Sequence, residues 1–328
     1  MEEQLTEIPL PIIKIPLPTP FPVGDINSYL ITADPMTIID PGSHYQPSEE
    51  QLDKSLERLG VNISDIKRII ITHGHPDHYG AAGRIQKETG AEIFVRDEEY
   101  KRLAPDRDYI NNMRKSLHTM GLPEEVLGTS AFSSGNIPFT HPIEKVCQYT
   151  GECSLDFSGL KLQLLHMPGH SGGHTCLYWE EKGVLLSGDA LLPEISAIPS
   201  IEYDLGMKNL RVRSLSDIFS SMEKIERINP YLCLPGHGDP VLDPGVLAKT
   251  RIEFHKNRLD QIYDIVPRGS ENAVSPYRLS RVYYPNVKGF NKFLAVIEVV
   301  SHLDYLADEG RIEEFMDEHG VSQFSRQL

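Results

Sequence analysis

A chain of 328 residues, 40% of them hydrophobic, is long enough to bury a full core and reads as one large domain or a large domain with a smaller companion. Its formal net charge of −15 argues against non-specific affinity for nucleic acid or an anionic membrane, because clustered Lys and Arg drive both. The start at Met1, Glu2 and Glu3 lacks a basic leader with an apolar core, and no apolar run is long enough to span a bilayer, so a soluble, unexported, cytoplasmic protein without a membrane partner is expected.

Prolines alternate with apolar residues from Ile8 to Pro22, which suits an extended entry and an edge strand and excludes a helix. Strands are predicted over Asn27–Thr32 and Thr37–Ile39, the second ending in the turn signal Asp40-Pro41-Gly42. A helix over Pro47–Leu59 closes at Gly60. The β-branched run Ile66–Ile71 then delivers the chain into Thr72-His73-Gly74-His75-Pro76-Asp77-His78, followed by a helix over Tyr79–Thr89 and a strand over Ala91–Val95. Such a unit puts the histidines on a loop at the strand's C-terminal end, where α/β sheets place their sites.

From Asp97 to Thr140 the pattern is charged and helical, with Met113, Leu117, Met120 and Leu122 as an apolar stripe. Sheet pattern resumes at Leu160–Leu165, and a hairpin follows, Thr175–Trp179 with Val184–Ser187, turning at Glu180 to Gly183. A helix over Leu215–Ile228 and a strand over Tyr231–Leu234 complete the first domain, placed at residues 1–245 with a helical insert at 97–140. Residues 246–328 carry helical stretches at Val246–Val266, Pro276–Tyr283 and Phe290–Asp308, then two short strands turning at Glu318, His319 and Gly320. Helices followed by a hairpin suggest a small winged-helix module. The four cysteines, Cys147, Cys153, Cys176 and Cys233, form no C-x-x-C pair and read as reduced structural thiols. Only Cys147 and Cys153, close together in an expected loop, leave room for a disulfide or redox role.

A divalent metal needs neutral imidazoles and ionised carboxylates converging on one point. His73, His75, Asp77 and His78 supply four candidates within six residues. Three more arrive singly at the ends of predicted strands: His170 in Pro-Gly-His, Asp189 in Ser-Gly-Asp and His237 in Pro-Gly-His-Gly. Any one alone is more simply a satisfied loop histidine, or for Asp77 a helix cap. Seven at the mouths of successive strands, each beside or near a glycine, make that reading a run of coincidences.

These residues, Thr72 to His78 with Pro168 to His170, Asp189 and His237, resemble the signature set of the metallo-β-lactamase superfamily in its binuclear, glyoxalase-II-like branch, from about Asn27 to Pro240. The resemblance implies an αββα sandwich of two face-to-face sheets with helices outside. By position it implies that His73, His75 and His170 bind one metal, that Asp77, His78 and His237 bind the other, and that Asp189 bridges both. Asp40 matches a nearby position from which a carboxylate can orient a ligand histidine, although a strand-ending turn residue is an equal reading. Two divalent ions about 3.5 to 4 Å apart can share a hydroxide at neutral pH, with Asp77 managing the proton. Nitrogen and oxygen ligands make zinc the default and permit iron or manganese.

The resemblance points to a hydrolase for an ester, thioester or lactone small molecule, with the insert lying over the site and its Met and Leu residues offered to an acyl group, or else merely packing the insert down. Phe254-His255-x-x-Arg258 and Leu303-Asp304-Tyr305-Leu306 resemble the winged-helix domain of a subgroup containing single-strand endoribonucleases. Residues 251–328 hold 10 Lys and Arg against 12 Asp and Glu, however, whereas a DNA-binding winged helix is basic, so helix packing or a homodimer contact is preferred and His255 with Arg258 read as a structural pair. Single-stranded RNA stays open as the one nucleic-acid substrate. A mononuclear iron persulfide dioxygenase using His73, His170 and Asp189, and a metal-stabilised binding protein without catalysis, complete the alternatives. Tyr203, in the loop Pro193–Met207, is a substrate-facing candidate but more simply a surface tyrosine.

Overall fold

The computed structural model describes residues 11–105, 107–123, 139–200, 214–289 and 291–327. The first half of the chain forms one sheet: β1 (Ile12–Leu17), β2 (Ile26–Ile31), β3 (Thr37–Ile39), β4 (Arg68–Ile70), β5 (Glu92–Arg96) and β6 (Cys147–Tyr149), in that spatial order. β1, β2 and β3 pair antiparallel, and β3 to β6 run parallel. The second half forms the other: β7 (Cys153–Phe157), β8 (Leu160–His166), β9 (Thr175–Trp179), β10 (Val184–Gly188), β11 (Leu232–Pro235) and β12 (Val241–Leu242), also neighbouring in sequence order. β10 and β11 pair parallel and the other neighbours antiparallel.

Strand side chains alternate between faces, and here both faces are covered, so the strands read as near-continuous apolar runs. Ile31, Ile39 and Ile70 meet Leu162, Leu164, Leu177, Leu186 and Leu234 between the sheets. Their sequence neighbours Leu30, Ile38 and Ile69 face outward onto Leu52 and Leu56 of α1 (Gln46–Arg58) and Ile85 of α3 (Ala82–Thr89). Leu165, Leu185 and Cys233 face the other way, onto Ile218, Met222 and Ile225 of α6 (Ser214–Ile228) and Ile252 and Ile262 of α7 (Pro244–Ile265). The result is the αββα sandwich expected from the sequence.

The expected helix over Tyr79–Thr89 is two helices, α2 (Pro76–Tyr79) and α3. Its ladder breaks where the Ala81 N–H donates to the Gly42 carbonyl at 2.8 Å and the Gly80 carbonyl accepts from the His141 N–H at 2.8 Å. Cys147 and Cys153 are not loop residues: they lie in β6 and β7, on different sheets, and all four cysteines are free. Both were missed as strands because these short segments are polar and partly exposed, without the apolar pattern of the central strands.

Beyond the sandwich lie α8 (Pro276–Tyr283), α9 (Asn291–Asp308) and the antiparallel pair β13 (Glu313–Met316) and β14 (Ser322–Ser325). Val299, Leu303, Leu306 and Phe324 join the apolar cluster on the outer face of the second sheet. The described part of the insert holds α4 (Asp97–Leu103) and α5 (Arg107–Thr119). Its stripe does not face the cluster of histidines. Leu117, Met120 and Leu122 are buried against Val296 and Val300 of α9, with Met113, Tyr277 and Phe293 at the margin, so the insert packs onto the C-terminal helices. No described helix is long and apolar enough to cross a membrane. Tyr203, with the rest of residues 201–213 and 124–138, lies outside the described residues.

Candidate metal centre

All seven sequence-selected residues come together at one end of the sandwich, each at or just beyond a strand end. His73 and His75 leave the end of β4, and Asp77 and His78 follow on α2; His170 lies in the β8–β9 loop, Asp189 directly after β10 and His237 two residues past the end of β11. The two sheets are stitched together at the same place. The Asn27 N–H donates to the Gly236 carbonyl at 2.7 Å and Ile26 bridges to His237, while within the second sheet the Gly236 N–H donates to the Gly188 carbonyl at 2.7 Å. Asn27 Nδ2 and Tyr29 Oη both donate to the Pro235 carbonyl, at 2.9 and 2.7 Å, which fixes the turn that presents His237.

The donor atoms fall into three overlapping groups: His73, His75 and His170; His73, His78 and Asp189; and Asp77, His78 and His237. His75 Nδ1 lies 2.9 Å from His73 Nε2 and 3.0 Å from His170 Nε2. Asp189 stands between the two ends, its Oδ1 3.4 Å from His78 Nε2 and its Oδ2 3.5 Å from His170 Nε2 and 3.7 Å from His237 Nε2. His237 Nε2 also lies 3.5 Å from Asp77 Oδ2. A tetrahedral ion with bonds of about 2.0–2.1 Å holds its ligand atoms roughly 3.3 Å apart, in the middle of this range.

Three of the imidazoles are oriented from behind. His78 Nδ1 meets Asp40 Oδ2 at 2.8 Å, His170 Nδ1 the Ile198 carbonyl at 3.0 Å and His237 Nδ1 the Asp25 carbonyl at 2.8 Å. Donation outward leaves the inner nitrogen as a lone pair, the arrangement a metal-binding histidine needs. Asp40, buried and with a left-handed φ of 50°, also accepts from the Thr72 N–H at 2.8 Å and Thr72 Oγ1 at 2.6 Å. Inside, His78 Nε2, Asp189 Oδ1 and His237 Nε2 are buried without a hydrogen-bond partner. Unpartnered buried polar atoms are costly, and here three of them face one another. A Cβ on Gly236 would lie 2.3 Å from Asp189 Oδ1, so glycine there is a condition of the carboxylate's position.

The electrostatics divide the cluster. Burial, reinforced by the neighbouring histidines, drives His73 and His75 well below the usual imidazole range, and burial also lowers His170. Burial works against charge on His78 and His237 too, but the Asp189 carboxylate, with Asp40 beside His78 and Asp77 beside His237, overrides it and raises both. Burial likewise opposes the Asp189 and Asp77 charges. His78 and His237 outweigh it at Asp189, holding its carboxyl well below the usual range, and His237 and His78 lower that of Asp77. The donor set, the outward bonds and the orphaned atoms all suit metal ions of borderline or hard character.

Sequence reasoning passed over His174. It is fully buried, its ring stacks on that of His73 with centroids 4.9 Å apart, and its Nε2 accepts from the Asp189 N–H at 3.1 Å, leaving Nδ1 without a partner. The signal was present: His170 and His174 stand four apart in Pro-Gly-His-Ser-Gly-Gly-His. Two other groups of donors also assemble, His44 with Glu49 and His141, and His255 with Glu298 and His302. In the first, both histidines reach Glu49 Oε1 at 2.8 Å and Arg84 lies 3.5 Å from Oε2, so the carboxylate is already shared among cations and donors. In the second, Arg258 pairs with Glu298, and His255 bonds Ser196 Oγ at 2.7 Å and His302 Nε2 at 3.2 Å. His255 and Arg258 thus meet on Glu298 rather than on each other.

Fold and site define a class: a two-sheet α/β protein whose loops gather histidines and carboxylates able to hold metal ions. The sequence profile of the Metallo-beta-lactamase superfamily matches residues 21–256, and the chain belongs to that superfamily. It is 28% identical to a probable metallo-hydrolase, YqjP, of Bacillus subtilis, over 94% of this chain and 96% of that one. It is also 28% identical to the hydroxyacylglutathione hydrolase GloC of Haemophilus influenzae, over 60% of this chain and 86% of the relative. The crystal structure of a metallo-beta-lactamase family protein, TTHA1429, of Thermus thermophilus superposes with a TM-score of 0.84 at 24% identity, covering 98% of this chain and 100% of that chain. A likeness over the whole length extends the shared fold to the C-terminal helices and the β13–β14 pair.

Proposed function

We propose that the chain is a binuclear metal-dependent hydrolase acting on an ester, thioester or lactone small molecule. The observation that carries this is the convergence of seven donor residues around buried atoms with no partner, arranged as two triads joined by a third group in which Asp189 meets His73 of one and His78 of the other. His73 Nε2, His75 Nδ1 and His170 Nε2 would hold one ion, Asp77, His78 and His237 the other, with zinc the default and iron or manganese compatible. Bound there, such ions supply Lewis acidity and activate water as a nucleophile at neutral pH.

The protein's own part is positional and electrostatic. Asp40 and the Ile198 and Asp25 carbonyls fix the rings of His78, His170 and His237, and His174 fixes the backbone of Asp189. Asp77, buried and held ionised beside His237, is placed to accept and return a proton at Oδ2. The hydroxyacylglutathione hydrolase among the relatives supports a thioester, and the low charge of residues 251–328 disfavours RNA.

Metal-loaded protein assayed against acylglutathiones, aryl esters and lactones is expected to turn over at least one class, and a His75→Ala chain none. Turnover confined to unstructured RNA, weakening as salt rises, would replace this reading. One iron per chain with oxygen uptake on a persulfide would replace it with a dioxygenase.

A further inference from the structure

Glu99 is absent from any metal-ligand pattern, yet it is fully buried 25 residues beyond the first histidine loop. It sits in the first turn of α4, at the start of the insert, where Asp97-Glu98-Glu99 reads as an ordinary acidic helix start. Its two oxygens are used separately. Oε2 accepts from the Gly74 N–H at 2.7 Å, and Oε1 accepts from the Gly173 N–H at 2.7 Å. Gly74 lies between His73 and His75; Gly173 lies between His170 and His174.

We infer that Glu99 is the positioning residue for the metal site of His73, His75 and His170, its single carboxylate spanning the two loops that supply those three ligands. The span is the point. Ligands from one loop are set by that loop's own backbone, but His75 Nδ1 and His170 Nε2, 3.0 Å apart, come from segments 95 residues apart in the chain and need a common reference. Glu99 provides it through two charge-assisted bonds made in a buried setting, where such bonds are strong. The glycines complete the fit. A Cβ on Gly74 would lie 3.0 Å from Glu99 Oε2 and 2.6 Å from Arg102 Cβ, and one on Gly173 would lie 2.9 Å from Glu99 Cγ. Arg102 Nε, 3.8 Å from Oε2, adds a compensating positive charge. The first helix of the insert is thus a strut behind the site, a different part from the cover over the substrate that its sequence suggested.

The inference rests on the proposed ligand roles, and the test separates the two. Glutamine at this position keeps the shape but turns an NH2 toward one of two N–H donors, so Glu99→Gln must lose one bond and leave like donors opposed. Metal affinity, read for each of the two ions by competition with a chromophoric chelator, is expected to fall about 10- to 100-fold for one ion in Glu99→Gln, the range for loss of an outer-shell partner, and to stay near wild type for the other. Glu99→Asp, which keeps the charge but is too short to span both loops, should fall less. Leu117→Ala, which lowers the melting temperature by loosening the insert against α9, should leave both affinities unchanged. Wild-type affinity for both ions in either Glu99 variant overturns the positioning role while leaving the ligand set standing. Equal weakening of both ions, matched by Leu117→Ala, overturns it as well, because mere destabilisation would then explain the loss. A wild-type chain that binds no ion removes both readings.

Discussion

Among the described residues two histidine–carboxylate clusters lie buried, and one of them has the character of a site. Around Asp189 the inner atoms of His78, His237 and Asp189 itself have no partner, while every outward nitrogen of His78, His170 and His237 is bonded. Around Glu298 the reverse holds. Arg258 neutralises the carboxylate and stacks over Phe254 at 4.2 Å, His302 Nδ1 donates to the Glu298 carbonyl at 2.7 Å, and His255 closes the chain onto Ser196. The same residue types, equally buried, are thus a socket in one place and a completed network in the other. What distinguishes them is where hydrogen-bonding capacity is left over, since a completed network stabilises and an incomplete one is costly unless something fills it.

That contrast can be broken or sharpened by measurement. The largest effect is expected at the socket: His73→Ala should lower hydrolysis and metal content together, by more than the roughly 100-fold that loss of an outer partner costs, with little change in the metal-free melting curve. Normal activity with full metal content would dissolve the distinction. At the network, Glu298→Ala should cost about 3–5 kcal/mol in denaturant unfolding by stranding the Arg258 charge, with metal stoichiometry unchanged.

The third measurement uses pH. Burial pulls His255 down to about 4 and His302 down to about 3. A histidine whose folded value lies below its unfolded value contributes stability in full above about pH 6.5, and that stability is lost as pH falls from there toward the folded value, because the unfolded chain takes up the proton first. Unfolding free energy should therefore drop by about 3 kcal/mol between pH 6.5 and 4 on account of His255 alone, and His255→Gln should flatten that slope. An unchanged slope would mean that the network is not held neutral. The smallest effect belongs to Asp40→Ala, about 10- to 100-fold in metal affinity, because His78 keeps its place but loses its orienting acceptor.

Much of this was legible in the sequence because it is local. Glycine and proline beside His73, His170, Asp189 and His237 mark sharp turns at strand ends, and apolar alternation marks the strands that bring those ends together. What escaped depends on partners distant in sequence. Glu99 looks like a helix-start acid until Gly74 and Gly173 are seen against it, and His174 looks like a spare histidine until Asp189 arrives 15 residues later. The insert stripe was read correctly as apolar, and of its two readings the packing one holds; the surface it packs on was not legible, because periodicity names a buried face and not the surface that buries it. It packs on Val296 and Val300, far along the chain.

The two sheets are built from consecutive halves of the chain, residues 12–149 and 153–242, and the donor residues are divided between them, four from the first half and three from the second. Under the proposed ligand assignment, neither half alone owns the complete triad of His73, His75 and His170 or that of Asp77, His78 and His237. On that assignment metal capture waits until both halves have folded and docked, and an ion held there would act as a clasp between them. Its removal should make itself felt less in the melting of either sheet than in their parting, as faster hydrogen exchange at the Asn27 N–H, whose bond to Gly236 joins the halves.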